Sequence, residues 1–221
     1  MRIDKVGKAY TKKASLYNKT LSGKSLWSTL VTSMVWGMKD ASYIEERVVD
    51  NLDDNFSGRL LDVPVGTGLF TKNKYARMKN ADITGLDYSQ GMLDKAKEAY
   101  DEAGAAVKLQ QGDVANMPFA DGDFDMVLCM NGLPCFPEKE QSIREIMRTL
   151  KTGGDLVGCS YIKGARKMSD FFIKQIYTRM KFTTPPYKTK AELTATLEQY
   201  FTKIDTWEKG ALLGFECRGK R

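Results

Sequence analysis

Short apolar runs alternate along most of the chain with longer segments in which apolar residues recur every three or four positions. The continuous run at 125–130 is typical of a strand buried on both faces, and the spacing within 138–150 is that of an amphipathic helix. Polar turns with glycine, serine or proline separate these segments. The pattern predicts strands at 59–63, 82–87, 107–110, 125–130, 156–162, 203–209 and 212–218, and helices at 69–79, 89–103, 138–150 and 190–200.

The order of these elements predicts the fold class. Strands separated by helices require right-handed crossovers, which produce a parallel sheet with helices on both faces. The final two strands are joined only by a turn at Gly210, so we expect the last strand to run antiparallel. Residues 8–50 are predicted to form helices outside the sheet. We therefore predict an α/β, doubly wound, Rossmann-like fold with a seven-stranded, mostly parallel sheet, N-terminal helices and a helical lid after strand five.

Composition narrows the class of protein. Four cysteines show no Cys-x-x-Cys pair, and three of them lie in strand-like runs, which favours reduced, buried thiols and a cytoplasmic location. The N-terminus lacks the apolar region of a signal peptide, and no apolar stretch is long enough to span a bilayer, so we expect a soluble protein. The net charge of +6 is concentrated outside residues 55–160. Scattered lysines favour a solvated surface; an anionic acceptor, an acidic membrane surface or RNA is the functional alternative.

A glycine turn follows the first predicted strand. Asp62 ends that strand, and Gly66-x-Gly68 follows, with Thr71 where a dinucleotide fingerprint would place its third glycine. Glycines at a strand-to-helix turn let the backbone approach a nucleotide-type ligand. A strand-end carboxylate would repel a pyrophosphate but suits a ligand that carries an ammonium group. The turn therefore favours an aminoacyl-nucleoside over NAD.

Two further carboxylates follow the second and third predicted strands. Ligands of doubly wound sheets bind at the carboxyl ends of the strands. Asp87 could accept hydrogen bonds from both hydroxyls of a ribose, and Asp113 from an exocyclic amine. Each aspartate alone is also compatible with an ordinary turn. Three carboxylates at consecutive strand ends, beside a glycine turn, predict a single nucleoside site.

These motifs resemble those of the class I S-adenosylmethionine-dependent methyltransferases. The match to the family's first motif runs from Asp62 to Gly68, and Pro64 stands where the family has its first glycine. Proline lacks an N–H, so close backbone approach is expected at the later glycines. The other matching segments are Asp87 with Ser89 and Met92, Gly112-Asp113-Val114 with Pro118-Phe119, the strand Phe124 to Val127, and Arg148 to Gly154.

The resemblance implies S-adenosylmethionine as cofactor and S-adenosylhomocysteine as product. It implies that Asp87 holds the ribose, that Met92 packs on the adenine, and that Asp113 accepts from the adenine amine. Residues 131–133 would line the reacting sulfonium, and no metal is implied. The complete set of implied cofactor-binding residues is Asp62, Val63, Pro64, Gly66, Gly68, Asp87, Tyr88, Met92, Gly112, Asp113, Val114, Asn131, Gly132 and Leu133.

Within that family the chain is similar to small-molecule methyltransferases such as those of ubiquinone and menaquinone biosynthesis. The similarity rests on Ala14-Ser15-Leu16-Tyr17-Asn18 and on Tyr187-x-Thr189-x-x-Glu192-Leu193. It implies a small-molecule acceptor, anionic or aromatic, with no obligatory nucleic acid, and leaves the oligomeric state open. We expect one domain over 1–221, comprising an N-terminal cap (1–54), a cofactor-binding core (55–160), an acceptor-side lid (161–200) and closing strands (201–221).

The catalytic group is not marked by the sequence. The chain has no histidine, which removes the commonest general base. The candidates for deprotonating an acceptor are Tyr10, Tyr17, Tyr161, Tyr177 and Asp170. Two alternatives stay open at this point. Pro134-Cys135 is the dipeptide of thiolate-based nucleic-acid methyltransferases, and a non-catalytic S-adenosylmethionine-binding protein would carry the same cofactor motifs.

Overall fold

A computed structural model describes Gly37 and residues 45–221 of the chain. Seven strands form one sheet in the order β3-β2-β1-β4-β5-β7-β6. Strand β7 runs antiparallel to both β5 and β6, and the remaining pairings are parallel, which confirms the predicted sheet. The strands are β1 (Gly58–Asp62), β2 (Ala81–Asp87), β3 (Val107–Gln111), β4 (Phe124–Met130), β5 (Leu150–Tyr161), β6 (Phe201–Lys209) and β7 (Leu212–Lys220).

The helices that connect the strands begin and end at residues suited to helix termini. The Ser89 side chain accepts from the Met92 N–H at the start of the second helix, and Gly104 ends that helix with φ 69°. Thr189 and Glu192 form a capping box at the start of the last helix. The helices are α1 (Lys72–Arg77), α2 (Gln90–Ala103), α3 (Lys139–Thr149), α4 (Lys167–Phe172) and α5 (Lys190–Glu198), with π-helical turns at Glu45–Val49 and Ile173–Tyr177.

Both faces of the sheet are covered by apolar layers, as expected for a doubly wound fold. One layer packs α3 and α5 on the sheet through residues such as Ile146 and Leu197. The other packs α1 and α2 through residues such as Tyr75 and Leu93. Three of the four cysteines are buried and all four are free thiols, in agreement with the sequence pattern. Burial raises the pKa of the Cys159 and Cys217 thiols to about 12.

Two predicted elements need correction. Helix α1 spans only Lys72–Arg77, because the chain is still turning after Gly68. Strand β5 begins at Leu150, six residues before the predicted start, so Gly153 and Gly154 lie within it. The register against β4 shifts between Phe124 and Met126, so this glycine pair bulges out of the ladder instead of preceding the strand.

Several predictions for the N-terminal part of the chain lie outside the described residues. They are most of the helices predicted over 8–50, the 14–18 motif, and the catalytic candidates Tyr10 and Tyr17. Within the part of the chain that the structure describes, no helix is both long enough and apolar enough to cross a membrane.

Candidate functional site

The strand order reverses between β1 and β4, so the connections that leave these two strands run in opposite directions and a crevice forms at their carboxyl ends. The segment after β1 lies in that crevice. The Val63 N–H donates to the Leu128 carbonyl oxygen of β4, and the Val65 N–H donates to the Leu86 carbonyl oxygen of β2, each at 2.9 Å. Backbone hydrogen bonds to both neighbouring strands therefore fix the start of the glycine turn.

The two glycines of the turn differ in what surrounds them. Both have positive φ, 59° at Gly66 and 67° at Gly68, a region that side chains disfavour. Among the described residues, a Cβ atom on Gly66 would meet no atom within 4 Å, whereas one on Gly68 would lie 2.8 Å from Cζ of Tyr100. Gly66 thus borders space that no residue of the described ranges fills, and Gly68 is needed for close packing against α2.

Asp87 joins the glycine turn to the end of β2. Its Oδ2 accepts from the Gly66 N–H at 3.0 Å, and its Oδ1 accepts from the Ser89 N–H at 2.8 Å. Burial raises the pKa of this carboxyl to about 6, and the N–H donors act in the opposite direction. Each oxygen keeps a second lone pair, so the carboxylate can hold the turn and still accept from a ligand.

Asp62 is buried at the end of β1, with its two oxygens in different environments. Oδ2 accepts from the Tyr75 hydroxyl at 2.9 Å. Oδ1 is buried and accepts no hydrogen bond from the described part of the chain. Burial raises the pKa of Asp62 to about 8; the Tyr75 hydrogen bond lowers it and the charge of Asp87 raises it. A buried acceptor without a donor is costly, so a cationic ligand group in reach of Oδ1 would be bound favourably.

The raised pKa of Asp62 predicts the pH dependence of stability. Its carboxyl keeps a proton in the folded protein up to about pH 8, while the unfolded chain loses it near pH 4. The unfolded state therefore binds fewer protons between these values, and stability falls as pH rises through this window. We expect the Asp62→Asn variant to lose part of this decline. Urea unfolding of both proteins from pH 4.5 to 8 checks it, and parallel curves would contradict it.

The segment after β3 is a tight turn that closes the site on one side. The Gly112 N–H donates to the Asp87 carbonyl oxygen at 3.0 Å, which links this turn to β2. Asp113 Oδ1 accepts from the Ala115 N–H at 2.9 Å, and Val114 is buried. The Asp113 side chain thus stabilises its own turn.

The loop after β4 lies directly against the glycine turn. Asn131, with φ 53°, donates its N–H to the Cys159 carbonyl oxygen at 2.8 Å and accepts from the Tyr161 N–H at 2.9 Å. A Cβ atom on Gly132 would collide with the Pro64 ring. Pro64, which departs from the family motif, therefore packs directly on Gly132. The two loops meet at this point, where Gly132 has no side chain and Pro64 has no N–H.

Two of the three described catalytic candidates, Tyr161 and Asp170, are hydrogen-bonded to each other at the end of β5. The Tyr161 hydroxyl donates to Asp170 Oδ1 at 2.6 Å, and Asp170 also accepts from the Gly164 N–H. Burial and the Asp170 carboxylate raise the pKa of Tyr161, and burial raises the pKa of Tyr177 to about 12. Both phenols are neutral at physiological pH. The hydrogen bonds of Asp170 with Tyr161 and Gly164 hold the backbone that follows β5.

Sequence reasoning missed a buried lysine at this edge. Lys139 starts helix α3, and its Nζ donates to the Phe136 carbonyl oxygen and to Thr184 Oγ1, each at 2.9 Å, and to the Thr184 carbonyl oxygen. It ties the loop after β4 to the segment before α5. A lysine in the first helical turn usually faces solvent, so no sequence signal marks it. It lines a cavity shared with Leu133, Pro134, Ile143, Ser160, Tyr161, Tyr187, Lys188 and Leu193.

The geometry of the crevice agrees with a comparison against known protein families. Residues 60–154 match a family described as "Methyltransferase domain". This stretch runs from β1 to the bulge in β5 and contains the glycine turn, Asp62, Asp87, Asp113 and Asn131. Over residues 60–154, less than half of its length, the chain is therefore similar to a methyltransferase domain.

Curated relatives match a little under half of the chain. A demethylmenaquinone methyltransferase of Deinococcus radiodurans is 34% identical over 99 residues, which are 45% of this chain and 41% of that protein. A phosphatidylethanolamine N-methyltransferase of Cereibacter sphaeroides is 36% identical over 102 residues, 45% of this chain and 49% of that protein. The chain spans about half or less of the length of these relatives.

Solved structures extend the similarity to the whole fold. A methyltransferase of Thermotoga maritima, described as a possible histamine N-methyltransferase, superposes with a TM-score of 0.68 at 18% identity. The match covers 96% of this chain and 99% of that one. The chain therefore has the fold of the S-adenosylmethionine-dependent methyltransferases, and domain and fold together imply S-adenosylmethionine as cofactor.

Proposed function

We propose that the protein is an enzyme that transfers a methyl group from S-adenosylmethionine to a small-molecule acceptor and releases S-adenosylhomocysteine. One observation carries the proposal. At the crevice between β1 and β4, two strand-end carboxylates accompany the unfilled side of Gly66: Asp87, held by two N–H groups, and Asp62, whose Oδ1 has no hydrogen-bond partner among the described residues. These carboxylates would provide an acceptor for ribose hydroxyls and an acceptor for an ammonium group.

The residues present fit the cofactor. Asp87 would accept from the ribose hydroxyls, and the space at Gly66 admits a ligand against the backbone. Asp62 Oδ1 would receive the ammonium of the methionine part, and the loss of its proton would supply a matching charge. Met92 and Val114, both buried near the ends of β2 and β3, would provide apolar surface for the adenine.

When bound, S-adenosylmethionine supplies a methyl group on a positively charged sulfur. This charge disperses in the transition state, so apolar surroundings disfavour the charged ground state. Leu133 and Phe136, in the loop after β4, are 9% and 5% exposed and would keep water from the reacting atoms. Asn131 makes two hydrogen bonds to β5, one through its N–H and one through its Oδ1, and these hold the loop in place. Alignment of donor and acceptor is the remaining contribution of the protein.

The side chains beyond this loop would present aromatic and aliphatic surface to a small aromatic acceptor. Tyr161 and Tyr187 pack edge to face there, with ring centroids 5.5 Å apart, and Leu133 and Leu193 add aliphatic surface. Several relatives are demethylmenaquinone methyltransferases, which supports an acceptor of this kind. The three N–H donors of Lys139 already have three acceptors in the chain. Lys139 would therefore stabilise the wall of the cavity and take no part in methyl transfer.

The proposal is tested in two steps with the full chain. Calorimetric titration with S-adenosylmethionine measures cofactor binding, for which we expect a micromolar Kd. Incubation with a panel of hydroquinones, phenols and thiols, followed by mass spectrometry, then measures acceptor-dependent formation of S-adenosylhomocysteine. Absence of cofactor binding would refute the proposal.

The second step also separates the two alternatives. Binding without turnover on any acceptor would favour a non-catalytic binding protein. Salt-sensitive retention of RNA together with methylation of that RNA would favour a nucleic-acid methyltransferase. The Pro134-Cys135 pair lies in the loop after β4, where the Cys135 thiol donates to the Asn131 carbonyl oxygen at 3.5 Å.

A further inference from the structure

The large apolar side chains that are exposed in the described part of the chain are confined to one segment. Met168 is 49% exposed, Phe171 is 57% exposed and Ile176 is 38% exposed. All three lie in α4 and the π-helical turn that continues it, outside the methyltransferase domain match. An exposed apolar cluster of this kind marks an interaction surface more often than a random surface residue does. We call residues 167–181 the lid segment.

The orientation of the lid segment is fixed from its inner side. Ser169 and Ile173 are fully buried against the end of the sheet, and Ile173 packs with Leu212. The Tyr161 hydroxyl bonds Asp170, and Thr178 Oγ1 donates to the Ile173 carbonyl oxygen at 2.8 Å. The apolar side chains therefore point outward because the opposite face is anchored to the protein.

The same surface is strongly basic. Lys167, Lys174, Arg179 and Lys181 are all exposed, and none forms an ion pair with a carboxylate among the described residues. The segment has one acidic residue, Asp170, whose carboxylate accepts from Tyr161 and from Gly164. One carboxylate against four cations leaves the segment with a net charge of +3, so the surface is complementary to an anionic partner.

We propose that the lid segment docks the protein on an anionic membrane surface. Protruding apolar side chains among unpaired cations are the combination that inserts at a lipid headgroup boundary. Lysine is depleted in protein–protein interfaces, which disfavours a protein partner. Single-stranded nucleic acid binds on platforms of several aromatic side chains. Of the exposed apolar side chains only Phe171 is aromatic, and Met168 and Ile176 are not, so a nucleic acid is disfavoured as well. The proposal is independent of the identity of the methyl acceptor.

Vesicle sedimentation of the full chain tests the proposal. The probes are vesicles of phosphatidylcholine alone and vesicles of phosphatidylcholine with about 30 mol % phosphatidylglycerol. The anionic headgroups of the second kind give the vesicle a negative surface potential. We expect the native protein to bind the anionic vesicles at least tenfold more tightly than the neutral ones, and to be released partly by salt.

Variants distinguish the apolar and the basic contributions. Phe171→Ser is expected to weaken binding by about tenfold, because burial of a phenylalanine side chain contributes a factor of that order, whereas Phe171→Leu keeps most of it. Lys174→Glu should lower affinity about tenfold. Its matched control is Lys203→Glu, an exposed lysine on β6, which should bind as the native chain does. Thermal melts verify that every variant is folded.

Equal binding to both vesicle types, or equal binding by Phe171→Ser and Phe171→Leu, would overturn the proposal. A second outcome would also overturn it: the native chain does not bind vesicles but forms a dimer in sedimentation velocity, and Phe171→Ser dissociates that dimer. The lid segment would then join two copies of the chain. Retention on RNA without retention on vesicles would overturn it equally. Selective, Phe171-dependent binding to anionic vesicles would support it.

Discussion

Replacing Asp87 by alanine is expected to weaken S-adenosylmethionine binding by about 100-fold, which corresponds to about 2.7 kcal/mol. The carboxylate accepts from the Gly66 and Ser89 N–H groups, at 3.0 and 2.8 Å, and would also accept from the ribose. Hydrogen bonds to a charged group contribute about 1.5–3 kcal/mol each. Alanine removes all of them, including the side-chain link from Gly66 to β2, and leaves the backbone hydrogen bond from Val65 to Leu86. Calorimetric titration measures the change in Kd.

Two further variants make the Asp87 result specific. Asp87→Asn keeps one oxygen acceptor but turns an amide N–H₂ towards a backbone N–H, so an intermediate loss is expected. Asp101→Ala removes an exposed carboxylate on α2, paired with Lys97, and should leave the Kd unchanged. If Asp87→Ala bound the cofactor with native affinity while remaining folded, the proposed ribose contact would be wrong.

Alanine substitutions at the two glycines of the turn should separate ligand binding from folding. Gly68→Ala places a methyl group against Tyr100 at positive φ, so it should lower the free energy of unfolding by about 2–4 kcal/mol. Gly66→Ala has the same strain, but its methyl group enters open space, so the cost should be only about 1 kcal/mol. That open space is where the cofactor is proposed to lie, so Gly66→Ala should weaken cofactor binding by more than tenfold.

Urea unfolding and calorimetric titration of both variants provide the comparison. Each variant is the control for the other, because both add one methyl group at nearly the same φ. Tyr100→Phe removes the hydroxyl that lies 2.7 Å from Thr71 Oγ1 and serves as a check on packing against α2. Equal losses of stability in the two glycine variants, with unchanged cofactor affinity in Gly66→Ala, would contradict the assignment of the open space.

The pattern of the sequence predicted most of the elements because their signals are local. Helix α2 begins at Gln90, one residue after the predicted start, and its predicted end at 103 is observed. Strand β5 was predicted six residues too short, because pairing of its first residues depends on a bulge against β4 that no local pattern encodes. Helix α1 was predicted too long, since the turn at Gly68 continues to Thr71.

The candidate site divides in the same way. The three strand-end aspartates and the glycine turn were visible in the sequence, because a doubly wound sheet brings the carboxyl ends of its strands to one edge. The hydrogen bond from Tyr75 to Asp62, the packing of Pro64 on Gly132 and the burial of Lys139 were not. Each joins residues from different loops, and such partners are chosen by side-chain packing.

The sequence by itself determined the alternation of strands and helices, the sheet that follows from it, and the motifs that imply S-adenosylmethionine. Only the tertiary structure decided which glycine faces open space, which oxygen of Asp62 lacks a donor, and which apolar side chains of the lid segment face outward. The physical reason is that periodicity and turn chemistry act between near neighbours in the chain. Burial and hydrogen-bond satisfaction depend on atoms that folding brings from distant positions.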